Sequence, residues 1–296
     1  MVIEMAEYSL KNAQLEICIH SLGAELFSIK EVATGKEYMW DARPEYWKRT
    51  SPVLFPIVGS LNGGYYRYDG KEYPLSQHGF ARDMEFELIS QTPNELRFRL
   101  DATQETLIKY PFQFRLEVGY TLDEKKVTVS WKVMNQDDKE MYFSIGGHPA
   151  FLCPIHEGDK QTDYQILFDT KDMVVSSVVG DEGTLSEREK EYALDNGYLH
   201  ITEDLFDKDA LVIEKNQVHQ VSLCDSKGQP YLTVCFEAPL FGIWSPPKKN
   251  APFICIEPWY GRCDKENFEG ELSQREWGNQ LAPSETFNAE YTIQLH

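Results

Sequence analysis

Apolar and polar residues alternate with a period of two along much of this chain. Phe112, Phe114, Leu116, Val118 and Tyr120 alternate with Gln113, Arg115, Glu117 and Gly119, and Val127, Val129, Trp131 and Val133 repeat the pattern. Leu15, Ile17 and Ile19 do so near the start, and Phe287, Ala289, Tyr291, Ile293 and Leu295 at the end. Such alternation sends successive side chains to opposite faces, so each run predicts a strand with one buried face. Between the runs stand turn formers: "NGG" at 62–64, "YDGKEY" at 68–73, "LDEKK" at 122–126 and "SKGQP" at 226–230. The segment "NQDDKE" (135–140) predicts a hairpin joining 127–133 to "MYFSIGGHPAF". Helical text is scarce. "TLSEREKEYAL" (184–194) predicts a short helix with Thr184 and Glu187 as a capping box, and "LSQREW" (272–277) a second one. With no heptads, repeats, low-complexity stretch or flexible linker, the expectation is one all-β domain over 1–296. Its large antiparallel sheets would pack together and close on themselves.

Composition narrows the function. A net charge of −19 repels nucleic acid and anionic lipid, so neither is expected as a partner. The first ten residues, "MVIEMAEYSL", lack a basic start followed by an apolar core, so they do not read as a signal peptide. No apolar run approaches the length of a membrane span. Cys18, Cys153, Cys224, Cys235, Cys255 and Cys263 are scattered, without a CxxC pair. They read as buried free thiols rather than a zinc or redox site, and a cytoplasmic location is expected. GxSxG, P-loop, GxGxxG and HExxH patterns are absent. "HEGD" (156–159) has metal-capable side chains without ligand spacing and reads as a solvated loop.

Three stretches offer chemistry. In "SIGGHPAF" (144–151), Gly146 and Gly147 precede His148 and Pro149 follows it. Glycines let the backbone bend and would leave open space beside the imidazole, while the proline sets the exit direction. A ligand-facing histidine and a structural turn histidine both fit these eight residues. "LSQHGFARD" (75–83) supplies His78 and Arg82, a hydrogen-bond donor and an anion holder, or else a surface turn with an Arg–Asp contact. In "PFICIEPWYGR" (252–262), Glu257 follows four apolar residues and precedes Pro258. A carboxylate there is expensive to bury without a partner, and desolvation raises its pKa toward neutral, which suits a general base. Trp259 and Tyr260 beside it could stack on a sugar face; most other aromatics, "YYRY" and "GIWSPP" included, read as core.

"RTSPVLFPIVGSL", "HGFARD", "SIGGHPAF", "DALV" and "ICIEPWYG" stand in the order seen in the aldose 1-epimerase, or galactose mutarotase-like, superfamily. From about residue 8 to 295 the chain resembles its LacX-like branch. The resemblance implies a β-supersandwich with an open carbohydrate cleft, and interconversion of the α and β anomers of a free hexose without a cofactor or metal. It implies His148 as general acid, Glu257 as general base, His78 as a second histidine against the sugar, and Asp209 in "DKDALV" as a ligand of sugar hydroxyls. In this scheme activity rises as Glu257 loses its proton and falls as His148 loses its own. Two departures concern the substrate. Gly147 stands where better-known hexose mutarotases have asparagine, and "FPIVGSLNGG" lacks their substrate-binding arginine, for which Arg82 or Arg49 could substitute. The arginine of "HGFAR" also resembles those of hexose-6-phosphate epimerases, which leaves that reaction as an alternative, and a non-catalytic carbohydrate-binding or sensing protein as another. A monomer or a homodimer is expected.

Overall fold

The computed structural model describes residues 6–180 and 182–296. Two large antiparallel sheets dominate them. The nine-stranded sheet runs Tyr198–His200, Gln165–Phe168, Gln220–Cys224, Pro230–Phe236, Thr286–Leu295, Lys126–Asn135, Phe114–Asp123, Glu95–Asp101 and Glu87–Gln91. The eight-stranded sheet runs Leu185–Ala193, Met173–Val179, Leu211–Ile213, Leu240–Trp244, Phe253–Tyr260, Ile145–Gly147 and Val53–Leu54, and Ala150–Leu152 pairs off this path with Phe253–Tyr260. A three-stranded sheet at the start and the hairpin Tyr65–Tyr68/Lys71–Pro74 flank them. The architecture is all-β with large antiparallel sheets, as expected, but neither large sheet closes: each keeps two edge strands.

The alternating runs became strands for the reason that predicted them. In Lys126–Asn135 every second residue is buried, from Val127 to Asn135, and the others face outward. Its hairpin partner Phe114–Asp123 turns through Glu124, whose left-handed φ of 48° matches the twist of a tight two-residue loop. At "YDGKEY" the same role falls to Asp69 and Gly70, at φ 51° and 69°. Phe98, Phe114, Leu116, Val118, Val129, Ile256 and Ile293 belong to one continuous apolar cluster running beneath both sheets.

Three further expectations fail. Residues 184–194 form no helix: Leu185–Ala193 is an edge strand held to Met173–Val179. Its side chains are mostly exposed, so a helix would have had no apolar stripe to bury, whereas an open sheet edge satisfies its backbone directly. Residues 272–277 make only one tight turn, Leu272–Gln274, before Arg275 returns to extended backbone. The segment 135–140 is not a hairpin between neighbours. Lys126–Asn135 pairs with Phe114–Asp123 and Thr286–Leu295, while Met141–Phe143 pairs with Asn279–Leu281. The chain crosses there from one sheet toward the other. The six cysteines are unbridged as expected; Cys153, Cys224, Cys255 and Cys263 are buried, and Cys18 and Cys235 partly so. His156, Glu157 and Gly158 are exposed, as a solvated loop requires. Among the described residues no helix is long and apolar enough to cross a membrane.

Candidate active site

Strand Phe253–Tyr260 is the spine of the site. On one side it pairs with Ile145–Gly147, Gly146 facing Trp259, and then with Ala150–Leu152, Ala150 facing Cys255. These two pairs stand four residues apart on each strand, so the register between them sets His148 directly opposite Glu257. Pro149 and Pro258 withdraw backbone donors from this short interval, and the ladder opens there. The Pro149 carbonyl still accepts from Ile256, and the His148 N–H donates to the Pro52 carbonyl. Directly opposed residues on one face bring their side chains together. His148 Nε2 lies 3.3 Å from Glu257 Oε2, and both side chains are buried.

The surrounding side chains form a cleft of about 240 Å³ that includes His78, Arg82, Asp209, Trp47, Trp244 and Trp259. That is slightly below the roughly 300 Å³ at which ordinary small-molecule pockets begin, and suits one small ligand. His148 is sandwiched: Trp47 stacks on it at 4.7 Å between ring centres, and Trp244 meets it edge-on at 5.5 Å. His78 approaches from the side, its ring centre 5.5 Å from that of His148. The backbone N–H of Gly59 donates to His78 Nδ1 at 3.1 Å, so the ring proton must sit on Nε2. His78 holds a left-handed φ of 66°, and Asp209 one of 73°. Strained backbone of this kind clusters where side chains are aimed at a ligand.

The glycines of "SIGGHPAF" do not open space beside the imidazole. Gly146 and Gly147 are buried, and a β-carbon would meet Trp259 from the first and Tyr291 from the second. The missing side chain of Gly146 makes room for the Trp259 indole, and that of Gly147 for the Tyr291 ring. Gly242 makes room for the indole from the other side, so the indole rests between two glycine positions.

Burial governs the charges. Desolvation pushes the Glu257 carboxyl well above its ordinary pKa, and nearby Asp209 adds to this, against a weaker pull from the Trp259 indole. Desolvation drives His148 down to about 3, with Arg82 and Arg49 contributing. His78 is lowered well below its usual value by burial, then by His148. Asp209 is raised by burial, opposed by the Ala210 N–H and the Trp244 indole. Burial therefore disfavours the charged form of both groups, the Glu257 carboxylate and the His148 imidazolium. With one proton the pair is neutral overall, either as carboxylic acid and imidazole or as carboxylate and imidazolium. His148 Nδ1 and Glu257 Oε2 have no hydrogen-bond partner.

Of the residues expected at the site, His148, Glu257, His78, Arg82, Asp209 and Trp259 line this one cleft. Arg49 does not. It is tied to Asp83 Oδ1 at 2.6 Å and to the Arg82 carbonyl, behind the lining. Arg82 Nε is buried without a hydrogen-bond partner, 3.9 Å from Asp83 Oδ2, and Nη2 donates to the Gln77 carbonyl. Tyr260 packs edge-on against Phe287, away from the cleft lining. Sequence reasoning missed Trp47, which sits in text with no motif, and treated Trp244 in "GIWSPP" as core. Among the described residues one set of three metal-capable side chains comes together, His148, Cys255 and Glu257, with ligand atoms within 4.8 Å of one another. Cys255 belongs to an apolar cluster with Trp40, Ala150 and Phe253 and does not line the cleft.

The chain is similar to known proteins along nearly its whole length. The aldose 1-epimerase family model matches residues 6–290. The plasmid-borne protein LacX of Lactococcus lactis is 34% identical over 97% of this chain and 98% of its own. The structure of a galactose mutarotase related enzyme from Lactobacillus acidophilus superposes with a TM-score of 0.92 at 35% identity, covering 98% of this chain and 97% of that one. A galactose mutarotase-like protein from Lactobacillus casei superposes with a TM-score of 0.89 at 28% identity, over 98% of this chain and all of that one.

Proposed function

The chain belongs to the LacX-like branch of the aldose 1-epimerase family, a carbohydrate isomerase, and from that premise we propose that it interconverts the α and β anomers of a free neutral hexose by acid–base ring opening at His148 and Glu257. The observation that carries this is the buried 3.3 Å contact between His148 Nε2 and Glu257 Oε2 at the cleft. Both oxygens of a hemiacetal are bonded to the same carbon. A base and an acid that serve them must therefore stand side by side, as these two do.

Mutarotation needs one proton to leave the anomeric hydroxyl and one to arrive at the ring oxygen. A sugar hydroxyl donating to Glu257 stabilises its carboxylate and moves the shared proton to His148. Glu257 then takes the proton from O1 as the C1–O5 bond breaks and the C1–O1 double bond forms. His148 gives its proton to O5. The open aldehyde turns about C1–C2, and closure from the other face returns both protons, so nothing is consumed. Trp47 and Trp244 fix the imidazole plane, and the Trp47 face stabilises the imidazolium. His78, neutral and donating from Nε2, Arg82 and Asp209 hold sugar hydroxyls.

The same Arg82 supports a second reading, a hexose 6-phosphate as substrate, because a second guanidinium stands beside it, Arg49 donating to the Arg82 carbonyl at 3.3 Å. Asp83 neutralises Arg49, which favours the neutral sugar. The test is NMR exchange or polarimetry on freshly dissolved α-galactose, α-glucose and glucose 6-phosphate. Wild type should accelerate equilibration of a neutral sugar. His148→Asn and Glu257→Gln should each lose about 10²–10⁴-fold in kcat, the usual range for a proton-transferring side chain. Binding without acceleration by wild type would establish a sugar-binding protein instead.

A further inference from the structure

The strand that carries Glu257 carries a third donor group beside it. Cys255 precedes Glu257 by two residues in Phe253–Tyr260, so both side chains leave the same face, and Ala150, two residues after His148, stands opposite Cys255. One donor atom from each of Cys255, His148 and Glu257 therefore lies within 4.8 Å of the other two. Proton transfer to a sugar uses two of these groups and gives the thiol no task. Cys255 is buried and outside the cleft lining. The pair itself has a feature that proton transfer does not explain. Glu257 is 1% exposed, yet its Oε2 has no hydrogen-bond partner, although His148 Nε2 is 3.3 Å away. A tetrahedron whose corners stand about 2.0 Å from its centre, the distance at which zinc holds nitrogen and oxygen, has an edge of about 3.3 Å.

We propose that His148 Nε2, Glu257 Oε2 and Cys255 Sγ form an inhibitory site for a borderline-soft divalent cation such as zinc. The ion is an inhibitor here, not a cofactor of the reaction. Imidazole, carboxylate and thiolate are the donors zinc takes, and the sulfur selects against magnesium and calcium, which take oxygen. A zinc–sulfur distance of about 2.3 Å puts sulfur about 3.5 Å from the other two donors, so the three side chains close by at most about 1.3 Å between them. Three protein donors leave one position, on the side where His148 and Glu257 line the cleft. The carboxylate and the thiolate together cancel the two charges of the ion, so a neutral unit stands where burial opposes any lone charge. Ligation requires the thiolate and carboxylate forms and an unprotonated Nε2. With one proton on the His148–Glu257 pair and one on Cys255, each ion that binds sends two protons to solvent, and no electron moves. Inhibition follows because Nε2 and Oε2 are the atoms that exchange protons with the sugar. That consequence rests on the mutarotase reading; the binding of metal does not.

The experiment titrates the full chain with Co²⁺, which is coloured and binds as zinc does, and with Zn²⁺. One equivalent of Co²⁺ should raise a cobalt–thiolate charge-transfer band in the near ultraviolet, and Zn²⁺ should abolish it by displacement. Saturating Zn²⁺ should lower kcat/KM for a neutral hexose by about tenfold or more, a chelator should restore it, and Mg²⁺ should do neither. Cys255→Ala should keep its metal-free activity and lose the band. It should need a higher Zn²⁺ concentration for inhibition, by at least the roughly 10–100-fold that loss of a mere outer partner costs a metal site. Cys255→Ser, closer in volume, carries the same expectations should the alanine variant not fold. Wild type without the band overturns the site. So does a band that survives in either cysteine variant, since it then belongs to another thiol, or inhibition by Zn²⁺ at an unchanged concentration. A band that depends on Cys255 in a protein that accelerates no sugar upholds the metal site and overturns the mutarotase reading.

Discussion

Replacing Gly242 by alanine tests how the cleft wall is built. Gly242 lies in strand Leu240–Trp244, in register with Glu257, and is buried. Its φ is not left-handed, so alanine suits the backbone and only space opposes it. An added β-carbon would stand 2.5 Å from Trp259 Cζ2 and closer still to Cη2. Carbon atoms pack at about 3.5–4.0 Å, so the indole must retreat by about 1 Å or more. Its retreat is blocked at the opposite edge, where Trp259 Cδ1 already lies against Gly146. Overpacking of this kind costs about 1–3 kcal/mol, and removing a glycine from the unfolded chain returns about 0.4–1 kcal/mol. The net loss should be about 1–2 kcal/mol, read as a lower urea midpoint at unchanged m-value. Activity should fall further than stability, because the displaced indole borders Glu257, and shifts of about 1 Å can cost about 10²-fold in rate. Adding Trp259→Phe, which lacks the outer indole ring, should recover much of the midpoint. A Gly242→Ala protein as stable and active as wild type would refute this account. So would a double variant losing the sum of both single losses, since atoms in contact must couple.

The remaining predictions concern charge. The pair is competent while it holds one proton, so kcat/KM should be bell-shaped. Its acid limb comes from His148 taking a second proton near pH 3, and its alkaline limb from loss of the last proton, above the ordinary carboxyl range, with Glu257. Because Asp209 helps to raise Glu257, Asp209→Asn should move the alkaline limb to lower pH; a limb that stays put or rises contradicts the electrostatic reading. Asp264 and Arg275 form a buried ion pair at 2.6 Å, with side chains 4% and 3% exposed. Asp264→Ala strands the guanidinium and should cost about 3–5 kcal/mol by denaturant titration, whereas Glu72→Ala, which removes only an exposed partner of Arg67, should cost under about 1 kcal/mol.

Much of this protein could be read locally. Alternation at 112–120, 127–133 and 287–295 named strands because side-chain direction in a strand depends only on neighbours along the chain. A carboxylate at the end of "FICIE" announced an expensive burial, and Glu257 is buried. The stretch 184–194 misled because its helix-forming residues have local appeal, while the sheet edge that captured it is made by Met173–Val179 folding beside it. "HGFAR" could not say that Arg82 faces the cleft while Arg49 is held away by Asp83. Tertiary structure alone decided the pairing of Gly146 with Trp259 and Ala150 with Cys255, and with it the meeting of His148 and Glu257. Strand register and desolvation are sums over atoms far apart in the chain, and a pattern of nearest neighbours contains neither.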